Sequence, residues 1–302
     1  MRLLHFIEDK YWLFFVLGIL LGFVFPQSGE IFGDHLMFVL MVILFFTFMR
    51  MDFTEMVFQA KRPLLLSYIL VGQLIVLPVL CFFLTWTMEP DLRLSIFLLA
   101  ALPAGTAAPA LTEIVRGRTT LSLIITVLAY LMVPITIPLL FYVFFSTWIQ
   151  IDYFKLFTQL ALFILIPMIC ARVVRRYSTR FIERWNMCFK SVMVILMALV
   201  IMVIIGKEAD YILAHPSEMV MLLAILFVVF FLFQLTGYFM VFWMHQDDKV
   251  AVSITKSAMN NVLGIVLAAS FFSPKVALIM VLSEVPWDVM PMFYKLYRRY
   301  LP

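Results

Sequence analysis

Lys256 lies in the stretch Ile254-Thr255-Lys256-Ser257-Ala258-Met259-Asn260-Asn261, with Val250 ahead of it and the apolar run from Val262 to Phe272 behind. Of the chain's 22 Lys and Arg, it alone falls well inside an apolar span rather than in a loop, a terminus or the end of a span. An ammonium group at membrane depth costs at least a few kcal/mol, so it normally faces a partner or a wet cavity. Asn260 and Asn261 add amide donors and acceptors close by. Such a set suits the binding of an ion or a small polar molecule, and transport is the first function it suggests. The plain alternative is that Lys256, about 10 Å inside the cytoplasmic boundary at the helical rise, snorkels its flexible stem to water.

An earlier apolar run is interrupted in the same way, by Pro103-Ala104-Gly105-Thr106-Ala107-Ala108-Pro109. Interior Gly and Pro free backbone carbonyls and amides, which is tolerable only against protein or a water-filled cavity. The free half-helix ends carry partial charge and can bind ions or anionic groups. Glu284 and Asp288 form an i, i+4 pair with Pro286 and Trp287 between them. They are candidate counter-ions to Lys256 or part of a proton path; Asp288 can equally pair with Lys295 or water. Glu113 beside Arg116 reads as an interfacial ion pair.

These residues must be positioned by membrane helices. The chain of 302 residues is 65% hydrophobic and 13% charged, with a mean hydropathy of +1.08. A soluble domain is nearer half apolar and a quarter charged. The composition therefore indicates a polytopic membrane protein whose surroundings are the lipid bilayer. Cys81, Cys170 and Cys188 stand singly, and His5, His35, His215 and His245 fall at segment ends. Neither set has metal-ligand or disulfide spacing, so no metal and no organic cofactor is expected. The net charge of +4 reflects orientation and carries no suggestion of a nucleic-acid partner. No phosphate-cradling glycine loop occurs, so ATP-driven transport is not expected. Met1 to Lys10 mixes charge with apolar residues, and no small-residue cleavage site follows. The first apolar stretch is thus expected to be retained.

Spans need roughly 20 predominantly apolar residues, fewer where broken or packed in a bundle. Ten are expected: 11–26, 35–50, 63–86, 93–114, 119–146, 155–171, 187–206, 218–244, 249–272 and 275–294. Their dividers carry breakers or charge, as in Lys61-Arg62-Pro63, Glu89-Pro90-Asp91 and Arg116-Gly117-Arg118. With ten spans, 17 of the Lys and Arg alternate to one side and four (Arg93, Lys155, Lys207, Lys275) to the other, Lys256 being the remaining one. That bias places both termini in the cytoplasm. The six cations between the sixth span and the first turn of the seventh, Arg172 to Lys190, are read as a topology determinant, with an anionic-lipid patch as the alternative.

Ten spans divide as five plus five, 11–146 and 155–294, and an odd number per half puts the halves in opposite orientations. Gly72-Gln73-Leu74 in the third span is echoed by Phe233-Gln234-Leu235 in the eighth. The two interrupted spans, the fourth and the ninth, occupy corresponding places. The expected fold is an all-α transporter domain with an inverted repeat and two discontinuous helices at its centre.

The same residues carry a resemblance. Gly105 to Thr112, followed by Leu121-Ser122-Leu123-Ile124-Ile125-Thr126, resembles the fourth and fifth helices of the bile acid:sodium symporter family. So do Met51-Asp52-Phe53 to Lys61-Arg62-Pro63, Gly72-Gln73 to Pro78, and the placement of Ser257 to Asn261. Ser257-Ala258-Met259-Asn260-Asn261 and Leu282-Ser283-Glu284-Val285-Pro286 also resemble the related arsenite-exporter branch. The resemblance implies that the fourth and ninth helices unwind and cross beside the substrate. It also implies a panel of helices one, two, six and seven facing a core.

Carried over residue by residue, the resemblance implies a first sodium site using a Ser-Asn pair after the Gly-Thr of the fourth helix, plus a Ser and a Thr in the fifth. Ser122 and Thr126 match the latter; Ala108 and Pro109 stand at the former and offer no side-chain oxygen. The second site uses a third-helix Gln, matched by Gln73, and a ninth-helix stretch opening with Glu. Asn260 falls where a second Gln is usual, and the Glu position, which serves both sites, is Lys256. Exchanging carboxylate for ammonium changes the site by two charges. The tethered cation can take the place of bound sodium, couple transport to protons by losing its own, or hold an anionic substrate.

The expectation is a secondary transporter of a small or amphipathic organic anion, with no enzymatic activity and with Na+ or H+ as the possible coupling ion. Thr106, Ala108, Pro109, Lys256, Asn260 and Asn261 line the crossing, with Gln73, Ser122 and Thr126 beside it and Glu284 on the tenth span. An arsenite or oxyanion exporter is an alternative, weakened because the fourth span lacks cysteine and Val262 and Leu263 follow the Asn pair. A channel is a further alternative. An intramembrane enzyme is the weakest, because the spans hold no acid, base and nucleophile set.

Overall fold

The computed structural model describes residues 11–49, 63–146, 152–177, 179–297 and 301. The connector 50–62, with Arg50, Lys61, Arg62 and the Met51-Asp52-Phe53 segment, lies outside the described residues, as does the charged segment 1–10. The described chain is helical: α1 (Tyr11–Val24), α2 (Ser28–Phe32), α3 (Leu36–Met49), α4 (Pro63–Leu84), α5 (Pro90–Ala101), α6 (Ala108–Ile114), α7 (Thr119–Phe145) and α8 (Tyr153–Tyr177) come first. Then follow α9 (Thr179–Lys207), α10 (Ala209–Ala214), α11 (Pro216–Met240), α12 (Gln246–Ser257), α13 (Asn261–Phe271), α14 (Pro274–Leu282) and α15 (Glu284–Tyr297). Four of them, α4, α7, α8 and α11, are individually long and apolar enough to cross a membrane. Three expected spans are each split in two: the fourth into α5 and α6, the ninth into α12 and α13, and the tenth, at Ser283, into α14 and α15.

The chain divides into two compact units. One comprises residues 1–51, 161–216 and 266–281. In it α1 packs along α9 through small residues. A Cβ on Gly18 would lie 2.5 Å from the Ala198 carbonyl oxygen, and one on Gly22 would lie 2.9 Å from Ile205 Cβ. Such contact between backbones is how helices gain packing energy where lipid removes the hydrophobic drive. The α9 helix begins at Thr179, eight residues before the apolar run predicted it.

The second unit comprises residues 52–160, 217–265 and 282–302. An aromatic cluster (Phe82, Phe97, Phe141, Phe145) ties α4, α5 and α7 together, with ring centroids 4.9 to 6.1 Å apart in the pairs Phe82–Phe97, Phe82–Phe145, Phe97–Phe141, Phe97–Phe145 and Phe141–Phe145. The α4 helix widens to a π-turn over Gly72–Val76, a feature frequent at functional positions. The α5 helix ends where Pro103 forces its predecessor out of the helical region: Leu102 is extended, at φ −65° and ψ 144°. The α6 helix ends in a Schellman motif, with Gly117 N–H donating to the Thr112 carbonyl and Arg116 N–H to that of Glu113. Arg116 takes the left-handed conformation this motif requires, at φ 56°.

Candidate functional site at two broken helices

The two breaks meet. Ala104 and Met259 form an isolated antiparallel β-bridge. Gly105 N–H donates to the Ala258 carbonyl at 2.7 Å, and Asn260 N–H to the Pro103 carbonyl at 2.8 Å. Thus backbone groups that the breaks release satisfy one another, as membrane burial demands. Gly105 is needed for this approach: a Cβ there would sit 3.0 Å from the Met259 carbonyl oxygen. The ninth-span break has no proline, and Asn260 restarts the helix by side-chain capping. Its Oδ1 accepts from the Leu263 N–H at 3.2 Å, and its Nδ2 donates to the Tyr130 hydroxyl at 2.6 Å. Trp287 Nε1 donates to the Met259 carbonyl at 2.7 Å, fastening α15 to the same break.

Lys256 lies in the last turn of α12, directly before this junction, and is 1% exposed. Snorkelling is therefore not what this conformation shows. Its Nζ lies 2.5 Å from the Ala100 carbonyl oxygen and 3.5 Å from that of Gln73, with the Phe233 ring centroid at 5.2 Å. Ala100 lies in the last turn of α5, whose carbonyls lose their helical partners at the break and carry the negative end of the helix dipole. The π-turn of α4 presents the Gln73 carbonyl. Among the described residues no carboxylate pairs with Lys256, so the expected Glu284 counter-ion is not in that role here. The side chain of Gln73 is engaged elsewhere, donating to the Val252 carbonyl at 3.0 Å and to Thr255 Oγ1 at 3.1 Å.

Ser122 and Thr126 are both fully buried. Thr126 Oγ1 donates to the Ser122 carbonyl at 2.8 Å, while Ser122 Oγ lies 3.0 Å from Thr112 Oγ1. Thr112 itself bonds back to the Ala108 carbonyl at 2.7 Å. This hydroxyl set joins α6 to α7, and Ala108 and Pro109 lie at the start of α6. Thr106 is half-buried in the break itself. Asn261 Nδ2 donates to Ser283 Oγ at 3.0 Å, and its amide also contacts the Glu284 carboxyl. Glu113 and Arg116 are both exposed and meet through their backbones, not as the ion pair the sequence suggested. Arg118 instead pairs with the buried Asp248, 2.8 Å away.

Two contributors to the junction carry no sequence signal of their own. Tyr130 and Trp287 look like ordinary aromatic residues of apolar spans until their polar atoms are placed on the junction. Arg93, assigned by alternation to a flank, is 1% exposed, its guanidinium carbon 3.9 Å from the Phe82 ring centroid and 4.1 Å from that of Trp86. The Glu89-Pro90-Asp91 start of α5 placed it outside the membrane, but its neighbouring rings were the available hint.

The sequence model of the Sodium Bile acid symporter family matches residues 37–215. Among relatives, the Uncharacterized sodium-dependent transporter YocS of Bacillus subtilis is 23% identical over 306 residues, covering 98% of this chain and 90% of its own. The Probable sodium/metabolite cotransporter BASS1, chloroplastic, of Arabidopsis thaliana is 25% identical over 201 residues, covering 65% of this chain and 49% of its own.

Proposed function

We infer the reaction from a plain premise: the chain belongs to the Sodium Bile acid symporter family. It is an integral membrane transporter of a small molecule and not an enzyme. In our reading it is a secondary carrier of a small or amphipathic organic anion, working by alternating access. Its ten spans form an inverted five-plus-five repeat, with both termini in the cytoplasm and the chain in a bacterial inner or a plasma membrane. The cargo site lies beside the junction of the two breaks, formed by Thr106, Ala108, Pro109, Asn260 and Asn261, with Gln73, Ser122 and Thr126 behind it.

Sodium appears in the names of both relatives, as a dependence in one and a co-transported ion in the other, and belongs to those proteins. For this chain the reading is sodium-independent transport, and one observation carries it: the Lys256 ammonium on the Ala100 carbonyl. A cation already tethered to backbone oxygens removes the need for a bound one. At 1% exposure the amine is also withdrawn from any cargo, which favours the tethered-ion role over direct substrate binding. Its charge still favours an anion nearby, because no acid among the described residues neutralises it.

The experiment begins with a thermal-shift screen of organic anions, followed by uptake of the best ligand in proteoliposomes. Uptake is expected to persist when choline replaces sodium. Strict dependence on sodium would overturn the reading of Lys256.

A further inference from the structure

Glu284 opens α15 inside the second unit and is 8% exposed, while Asn261 opens α13 and is 3% exposed. Among the described residues, Glu284 Oε1 and Asn261 Oδ1 are both buried without a hydrogen-bond partner. Asn261 Nδ2 donates to Ser283 Oγ, and the Asn261 amide neighbours the Glu284 carboxyl. The charged group that faces Glu284 is Asp288, one turn farther along the same helix. Lys256 is held by carbonyls of α4 and α5, and Arg118 by Asp248, so neither is its partner.

An ionised carboxylate only accepts hydrogen bonds, and an amide oxygen does the same. Two orphaned acceptors side by side in a buried place are costly, and they lack one donor. We propose that this donor is a proton on Glu284, making with Asn261 a carboxylic acid–amide pair that is the carrier's proton-binding site. In the pair, the Glu284 O–H donates to Asn261 Oδ1, and one Asn261 N–H donates to the second carboxyl oxygen. The other N–H keeps its bond to Ser283 Oγ. A single hydrogen thus satisfies both orphans. The proton comes from water on one side and is returned to water on the other, with no other bond made or broken. Hard metal cations such as calcium take six or more oxygens, and two free oxygens match a proton better.

The placement gives the proton a mechanical consequence. Asn261 is the first residue of α13, immediately after the bridge between Ala104 and Met259. Trp287, three residues beyond Glu284, holds the Met259 carbonyl. Releasing the proton removes the bond from Glu284 O–H to Asn261 Oδ1, leaves two acceptors facing each other, and so weakens the link between α15 and the first residue of α13. The role in transport rests on the carrier reading above; the pair itself does not.

Difference infrared spectroscopy of the reconstituted full chain tests the pair without any substrate. The carbonyl stretch of a protonated carboxylic acid is expected at neutral pH, shifting in D2O and absent from Glu284→Gln. Asn261→Ser provides a second variant, expected to keep the band but move it, since the amide partner is gone. A spectrum that is the same in wild type and Glu284→Gln overturns the proposal, as does a band that sodium chloride removes and choline chloride does not. Proteoliposomes then test the role: a pH gradient drives anion accumulation by wild type but not by Glu284→Gln. Uptake indifferent to the gradient in wild type overturns proton coupling, whereas an infrared band without uptake of any anion sinks the carrier reading and leaves the pair standing.

Discussion

The two units solve the problem of burying helices in opposite ways. In the unit containing α1 and α9, glycines at 18, 22, 29 and 206 bring backbone against backbone or against one close side chain, and few polar groups are buried. In the unit containing α5, α6 and α12, helices stop halfway, and Gln73, Thr112, Ser122, Thr126, Gln234, Ser253, Lys256, Asn260 and Asn261 are all buried. The first arrangement favours dispersion, and among its described residues no buried side-chain polar atom lacks a partner. The second places polar groups at membrane depth, where they are expensive and are kept for function. On the proposed function, one unit serves as a frame and the other holds the cargo.

The sharpest test of that contrast is Lys256→Met. It leaves the Ala100 and Gln73 carbonyls without their donor, at about 1–3 kcal/mol for each orphaned group. We expect transport to be lost while the protein still reaches the membrane, read as uptake against expression. Wild-type uptake would mean that the polar unit does not depend on its buried cation. Next is Gly18→Val, whose Cβ meets the Ala198 carbonyl oxygen. Overpacking of this kind costs about 1–3 kcal/mol, visible as a lower unfolding temperature in detergent, with unchanged ligand affinity in the folded fraction. Equal loss of affinity would break the division of labour. The smallest effect is expected from Arg116→Gly. Relieving a left-handed non-glycine residue should stabilise the end of α6 by roughly 1 kcal/mol, seen as a small rise in the same unfolding temperature. A fall would assign the Arg116 side chain a contact of its own.

Sequence reading recovered what depends on local chemistry. The break after α5 was legible because proline dictates the conformation of the residue before it. Lys256 was legible because its charge is costly in an apolar run. Its partners were not, since backbone carbonyls look alike in every residue and become distinctive only when a helix ends or widens, as at Ala100 and Gln73. The pairing of Glu284 went the same way. Charge alone pointed to Lys256, whereas the fold sets Glu284 beside Asn261, across a gap of over twenty residues that no periodicity marks. Short α2 was missed as well, because five residues after Pro26 are too few to show a period.

The bridge between Ala104 and Met259 has a consequence for how the molecule is made. Lys256 reaches Ala100 across 156 residues, which a ribosome takes roughly 8 to 30 s to add at about 5–20 residues per second. Throughout that interval the nascent α5–α6 gap has no mate for its exposed amides and carbonyls, and insertion machinery or interfacial water must shelter it. Chains truncated ahead of residue 246 should therefore be recognised by membrane quality control and degraded faster than chains cut after residue 271, a difference that pulse-chase decay would measure.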